Sequence, residues 1–147
     1  LIKALADVSP VKIVGSDTKL AADEIAAYDE ESKHIVVRMG VKDSGGLFRD
    51  LTQEIVLAHL SSVPIVDDTD LVFISRSASF LLATTYGIDV PKGGYSFNDV
   101  RQSFGDLTPI SIKGGLTRLK DVFDTMKNNI DSRLVGGNQL PYNQEGR

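Results

Sequence analysis

The period of the hydrophobic pattern changes once along the chain, and this change limits the folds that the sequence can adopt. Before Ser44 the apolar residues come in short, β-branched runs, which predict strands. After Ser44 they recur at steps of three and four residues, the spacing of the buried side of a helix. Because strands and helices are segregated in this way, we predict an α+β fold, with a small sheet packed on several helices.

Three short strands are predicted in the first part of the chain, after an opening helix over Leu1 to Val8. The first strand is Val11 to Val14. The other two, Glu24 to Tyr28 and His34 to Met39, flank the polar turn Asp29 to Lys33. Two apolar runs separated by a short polar turn are typical of a β-hairpin. The sheet is therefore predicted to be roughly three-stranded and to contain this hairpin.

Four helices are predicted in the second part. Asp43 or Ser44 can cap the first of them, and Thr69 or Asp70 the second, because short polar side chains accept the free N–H groups of a helix start. Gly87 is expected to end the second helix in the C′ position. The four helices are predicted over about 47–60, 71–85, 98–104 and 116–130, with Gly114-Gly115 before the last one and Gly136-Gly137 closing it.

Composition narrows the possible chemistry. The 147 residues correspond to one domain, and 41% hydrophobic with 24% charged residues is ordinary for a soluble globular protein. The absence of cysteine excludes disulfides and thiolate metal sites, and only His34 and His59 could supply imidazole. A net charge of −4 argues against a broad surface for nucleic-acid phosphates. The start, Leu1 to Ala6, has neither Met nor signal-peptide features, so we expect a cytoplasmic domain excised from a longer polypeptide.

One segment of the first long helix has the spacing of a metallopeptidase motif. Zinc-dependent peptidases of the zincin type carry His-Glu-x-x-His, in which the two histidines share a helix face and bind the ion. The glutamate of that motif acts on the zinc-bound water. Here Glu54 keeps the glutamate position, whereas Gln53 and Leu57 occupy the histidine positions.

Three further segments match the same group of proteins in order and spacing. They are Tyr28-Asp29-Glu30-Glu31-Ser32-Lys33-His34-Ile35-Val36-Val37, Tyr86-Gly87-Ile88-Asp89 and Tyr95-Ser96-Phe97. With the helix segment they make the chain, from about Val11 to Ile130, resemble the zincin-like domain of ArdC-type antirestriction proteins and of LtrC-like proteins of conjugative elements. More distantly, the chain is similar to the ImmA/IrrE metallopeptidases.

The resemblance implies that the zinc site has been lost. In the family an acidic third ligand lies on the second long helix, and its position falls near Arg76, on a helix whose apolar part holds no carboxylate. The former metal-ligand positions are therefore Gln53, Leu57 and Arg76, with no cofactor expected. Glu54 would remain as a vestigial general base. An Arg76 side chain reaching the vacated site could pair with Glu54 and replace the charge of the ion.

These observations predict a catalytically inactive zincin-like domain over residues 1–137, followed by a flexible polar tail over 138–147. The expected function is binding or scaffolding within a larger protein of a mobile element, such as a conjugative plasmid, or of antirestriction type. The expected partners are other domains of that protein or another protein. Single-stranded DNA is a further possible partner by family analogy, and no membrane is expected.

Two alternatives remain open on the sequence. The first is an active metal-dependent hydrolase with an atypical site around Glu54, His59 and the acidic cluster Asp67 to Asp70. Against it, His59 lies about 200° around the helix from Leu57 and points away from Glu54, and the acidic cluster is explained by helix capping. The second alternative is an antirestriction module that binds single-stranded DNA. Against it, the basic residues of the last helix interleave with aspartates, which predicts a solvated face.

Overall fold

A computed structural model describes residues 1–16, 20–61, 68–90 and 109–139 and confirms the α+β class. A mixed sheet of three strands packs against four helices within these ranges. The elements are α1 (Ile2–Asp7), β1 (Lys12–Gly15), β2 (Ala26–Asp29), β3 (His34–Val37), α2 (Ser44–Ser61), α3 (Asp68–Thr85) and α4 (Pro109–Gln139). The short helix predicted from Ser96 or Asn98 toward Phe104 falls outside the described ranges.

The sheet has the order β1-β3-β2, so β2 forms one of its edges. β2 and β3 are antiparallel, with Tyr28 opposite Ile35, and form the predicted hairpin. β1 runs parallel to β3, with Ile13 opposite Ile35. In the turn of the hairpin the Asp29 carboxylate accepts the Glu31 N–H at 3.0 Å, which fixes the direction of the turn.

Asp43 is the residue that caps α2. Its carboxylate Oδ1 accepts the N–H of Gly46 at 2.9 Å, the bond that an N-cap side chain makes to the third helical residue. Gly46 is buried there, and a Cβ at this position would lie 2.5 Å from Asp43 Oδ2 and 3.2 Å from Ile25 Cδ1. The glycine therefore allows the cap and the hairpin to approach the start of α2.

Helices α2 and α3 form an antiparallel pair. The Ser79 hydroxyl of α3 donates to the Arg49 carbonyl of α2 at 2.7 Å. Directly after the C-terminal end of α3, the ring of Tyr86 meets that of Phe48 edge to face, with centroids 6.2 Å apart. The N-terminal half of α2 thus lies beside the C-terminal half of α3.

Gly87 ends α3 as predicted. Its φ of 72° is left-handed, a conformation that glycine adopts without steric cost. The Ile88 N–H donates to the Ala83 carbonyl at 2.8 Å and the Gly87 N–H to the Thr84 carbonyl at 3.3 Å. These are the two hydrogen bonds of a Schellman motif. The motif turns the chain back so that Ile88 packs against the core.

Helix α4 is longer than the sequence predicts. It runs from Pro109 to Gln139, through both Gly114-Gly115 and Gly136-Gly137, which were expected to bound it. Glycine inside a helix costs about 1 kcal/mol relative to alanine, but it does not end a helix that packing supports. Leu119, Met126 and Ile130 bury the middle of α4 against the other helices, and this tertiary packing overrides the local preference.

The core lies where α2, α3 and α4 meet one face of the sheet. The larger side chains that are fully buried there are Leu5, Ile35, Phe48, Ile55, Ile74, Leu82, Met126 and Ile130. Phe48 and Ile55 of α2 point into this core. Another side of α2 faces the hairpin, and Glu54 lies there next to β2.

Candidate functional site

Glu54 lies against the outer edge of the sheet. Its carboxylate Oε1 accepts the backbone N–H of Tyr28 at 2.8 Å. The Ile25 carbonyl accepts from Arg38 and the Asp29 carbonyl from Lys33, the residues on either side of β3. Backbone groups alternate in direction along an antiparallel strand, so the Tyr28 N–H points away from β3. Glu54 therefore takes up a backbone donor that the ladder leaves unpaired.

Burial has the largest effect on the pKa of Glu54. It raises the pKa to about 7, because an ionised carboxylate is poorly solvated at this junction. The hydrogen bond from Tyr28 lowers the pKa, whereas the charges of Asp50 and Glu24 raise it further. Near neutral pH the group is thus divided between its acid and its carboxylate forms.

A second carboxylate of α2 holds the same segment of chain. Asp50 lies one turn before Glu54, and its carboxylate receives a backbone hydrogen bond from Ile25. Burial raises the pKa of Asp50, while the Ile25 bond and the nearby Arg49 charge lower it. Asp50 and Glu54 together attach the two ends of the 25–28 segment to one side of α2.

The three residues that the sequence predicts as former ligand positions lie on the α2–α3 pair. Gln53 is half-buried, and Leu57 packs against the hydrophobic core. The Ser79–Arg49 hydrogen bond sets the relative positions of the two helices. At about 1.5 Å per residue, Arg76 lies about 4.5 Å from Ser79 along α3, and Gln53 lies about 6 Å from Arg49 along α2. Because the helices are antiparallel, both displacements run in the same direction. The geometry therefore places Arg76 and Gln53 at nearly the same level of the helix pair.

The expected pairing of Glu54 with Arg76 is not what the structure shows. The bond that holds the Glu54 carboxylate comes from the Tyr28 backbone. Among the described residues, the charged groups that shift its pKa, Asp50 and Glu24, are both acidic and both raise it. The partner of Glu54 is thus a backbone N–H of the sheet edge, which supplies a partial rather than a full positive charge.

His59 lies in a different part of the molecule from Glu54. Burial lowers the pKa of its imidazole, and a hydrogen bond with the Val8 backbone raises it. His59 also lines a groove of about 310 Å³ between the end of α2 and the middle of α4, together with Leu60, Arg118, Asp121, Val122, Thr125 and Met126. The structure therefore does not bring His59 and Glu54 into one site.

The remaining polar candidates also lie apart. His34 sits on β3 opposite Asp29, at the turn end of the hairpin. Asp67 falls outside the described ranges, and the side chains of 68–70 are not described. Across the portion of the chain that the structure describes, no group of three or more His, Cys, Asp or Glu side chains could hold a metal ion.

The exposed side of α4 mixes the two signs of charge, as predicted. Lys120 binds Asp124 and Lys127 binds Asp131, each at 2.7 Å and four residues apart. Exposed pairs of this kind contribute little to stability, but each lysine charge is compensated locally. At these two positions the positive charge is thus neutralised by a neighbouring aspartate on the same helix.

Comparison of the chain with protein-family models, with curated proteins and with solved structures gave no match. No helix in the described ranges is both long and apolar enough to cross a membrane.

The sequence interpretation singled out Glu54 but missed Asp50 and Glu24, the two acidic neighbours that act on it. The four-residue step from Asp50 to Glu54 was available as a signal, because residues so spaced lie on one side of a helix. The place of Glu24 depends on how the hairpin docks on α2, and no local sequence pattern reports that docking.

Proposed function

We propose that this chain is a zincin-like domain that has lost its metal ligands and now serves as a non-catalytic binding or scaffolding module. Its motif residues resemble those of the ArdC and LtrC groups, so we place it within a larger antirestriction-type or mobile-element protein of the cytoplasm. The proposed zinc site is lost at Gln53, Leu57 and Arg76.

The engagement of Glu54 by Tyr28 is the observation that carries the proposal. In a metallopeptidase the motif glutamate must reach a metal-bound water and exchange protons with it. Here the carboxylate is half-buried at the junction of α2 with the sheet and accepts a backbone N–H at 2.8 Å. That is a structural role, since it satisfies an edge donor and fixes α2 against β2.

The surroundings of the former ligand positions support the same conclusion. Leu57 has no donor atom and packs into the core, so it contributes to stability where the family has a ligand. Arg76, at the level of Gln53, brings a permanent positive charge to the place of an acidic ligand. A guanidinium has no acceptor atom, so an arginine at this position cannot ligate a metal ion as a carboxylate does.

The proposed partners are other domains of the parent protein or a separate protein. Single-stranded DNA is a further proposed partner that rests on family analogy alone. Fluorescence anisotropy of a labelled oligonucleotide, measured from low to moderate salt, separates these partners. Salt-dependent binding would identify DNA as the ligand, and no binding at low salt would leave protein partners.

Metal content and hydrolysis together test the loss of catalysis. The purified chain is equilibrated with zinc, freed of excess ion and assayed for bound metal and for cleavage of unfolded protein substrates. We expect substoichiometric zinc and the same background cleavage in the wild type and in Glu54→Gln. One zinc per chain, with cleavage lost in Glu54→Gln, would overturn the proposal.

An atypical hydrolase is the second candidate, and the protonation of Glu54 favours it. A carboxyl whose pKa is raised to about 7 can both take up and release a proton at neutral pH, as a general base requires. Its site would have to form without His59, which faces α1 and α4. Metal-independent cleavage that disappears in Glu54→Gln and persists in His59→Gln would establish this candidate.

A further inference from the structure

The two methionines of the chain lie in opposite surroundings. Met126 is 1% exposed and belongs to the core, whereas Met39, two residues after β3, is 62% exposed. Because a dissolved oxidant reaches a side chain only through the solvent, exposure decides which thioether reacts. The fold therefore leaves one methionine sulfur accessible and protects the other.

The Met39 side chain lies across the end of β1. Gly15 is the last residue of that strand, and a Cβ at this position would overlap the Met39 sulfur and lie 3.3 Å from its Cγ. Glycine in a strand permits such a close approach, and residue 15 thus leaves the space that the thioether occupies. One side of Met39 packs on the backbone of β1, and the rest of the side chain is open to solvent.

The chain that follows β3 contacts both neighbouring strands of the sheet. On the side of β2, the Arg38 N–H donates to the Ile25 carbonyl at 2.8 Å. On the side of β1, the Ser16 N–H donates to the Val37 carbonyl at 2.9 Å. Met39 packs on the residue just before Ser16, so its side chain contacts the end of the β1–β3 pair and not the β2 side.

We propose that Met39 is an oxidation site for peroxides and that its sulfoxide loosens the end of β1. A lone pair of the sulfur attacks one oxygen of hydrogen peroxide, and the O–O bond breaks as the S–O bond forms. A proton passes from the attacked oxygen to the departing one, which leaves as water. The sulfur loses two electrons and the peroxide gains them. A methionine sulfoxide reductase can return the product to the thioether.

The added oxygen changes the contact between Met39 and Gly15. Oxidation converts an apolar, flexible side chain into a polar and chiral one. The polar S–O group is hydrated in water and loses hydration against the strand, so the oxidised side chain favours the solvent. The unoxidised sulfur already fills the space above Gly15, which leaves little room for a further atom. Once the side chain leaves this position, the end of β1 has one contact fewer and opens more often.

Peptide mapping by mass spectrometry, after timed exposure of the folded chain to hydrogen peroxide, tests the oxidation site. We expect Met39 to gain one oxygen atom at least about tenfold faster than Met126, because the buried sulfur reacts only when the core opens. In the chain unfolded by urea, the two rates should become equal. Equal rates in the folded chain would overturn the proposal.

Amide hydrogen exchange, followed by nuclear magnetic resonance, tests the effect on β1. In the chain oxidised at Met39 we expect the Ser16 amide to exchange at least about threefold faster, while the Arg38 amide on the β2 side keeps its rate. Met39→Gln is polar at this position without peroxide and should exchange at Ser16 as the sulfoxide does. Met39→Leu keeps an apolar contact, so its Ser16 rate should be the same before and after peroxide. An unchanged Ser16 rate in the sulfoxide, or a rate that rises with peroxide in Met39→Leu, would overturn the proposal.

Discussion

The Glu54 carboxylate of α2 accepts the outward backbone N–H of Tyr28 at the edge of the sheet, at 2.8 Å. The contact joins residues 26 positions apart, and it connects the two parts of this α+β fold, the hairpin and the helices. The side chain that the sequence analysis predicted to be a vestigial base thus attaches the helix to the sheet.

The first prediction concerns this attachment. Glu54→Ala leaves the Tyr28 N–H without an acceptor, whereas Glu54→Gln keeps an amide oxygen in its place. Both variants are uncharged, so their difference excludes the electrostatic effect of the carboxylate. We expect Glu54→Ala to be less stable than Glu54→Gln by about 1–3 kcal/mol in urea denaturation. Equal stabilities would show that the hydrogen bond does not hold the hairpin. Gln53→Ala, at a half-buried neighbour, is the control and should lose less.

The second prediction concerns His59. Burial lowers the pKa of its imidazole below 6.5, so the folded state releases a proton that the unfolded state still binds. The neutral imidazole therefore contributes to the free energy of unfolding above pH 6.5, and this contribution is lost as the pH falls. We expect the stability of the wild type, relative to His59→Gln, to decrease from pH 7.5 to pH 5.

The third prediction concerns the attachment of α4 to α3. The Tyr86 hydroxyl donates to Asp131 Oδ1 at 2.7 Å and lies 3.2 Å from the Lys127 carbonyl. Tyr86→Phe removes these contacts and keeps the ring that packs on Phe48. We expect a loss of about 1–2 kcal/mol in thermal or urea unfolding. Tyr28→Phe, which removes a hydroxyl elsewhere, is the control. A Tyr86→Phe variant as stable as the wild type would mean that the hydroxyl does not secure α4.

The fourth prediction compares two helical glycines. At Gly46 a Cβ would lie 2.5 Å from Asp43 Oδ2, so Gly46→Ala must displace the cap of α2. We expect a net destabilisation of about 1 kcal/mol or more, the usual contribution of an N-cap. At Gly114 no atom lies within 4 Å of the added Cβ. There Gly114→Ala should stabilise α4 by about 0.5–1 kcal/mol. Stabilisation by both substitutions would contradict the geometry at Asp43.

The sequence predicted the helices and strands whose limits depend on local chemistry. The hairpin followed from two β-branched runs around a polar turn, and the cap at Asp43 and the end of α3 at Gly87 followed from the residue types that these positions require. Helix α4 shows the limit of such reasoning. Its glycine pairs indicated ends, but the burial of Met126 and Ile130 against distant helices decides its length.

The candidate site was predictable only in part. Glu54 was found because its neighbours in the sequence have a recognisable spacing. Its actual partner, the Tyr28 N–H, depends on which edge of the sheet α2 meets, and this is set by long-range packing. Arg76 was expected to pair with Glu54 because its position in the sequence corresponds to that of a metal ligand in the family that the chain resembles. Such a correspondence indicates how far along the helix a residue lies, but it does not indicate where its side chain points. For the same reason the sequence left Glu54 and His59 as one possible site, and the fold separates them.

Introducing the proposed zinc ligands tests the central claim most directly. Gln53→His, Leu57→His and Arg76→Glu are introduced together, and bound zinc and thermal unfolding are measured with and without added zinc. The control keeps Gln53→His and Arg76→Glu but places the second histidine by Ser61→His, about 12 Å along the helix from position 53.

If α2 and α3 carry former ligand positions, the triple variant binds one zinc per chain and unfolds at a higher temperature with zinc present, because ligand binding to the folded state stabilises it. The wild type and the control show neither effect. A triple variant that is folded by circular dichroism but binds no more zinc than the control would contradict the account.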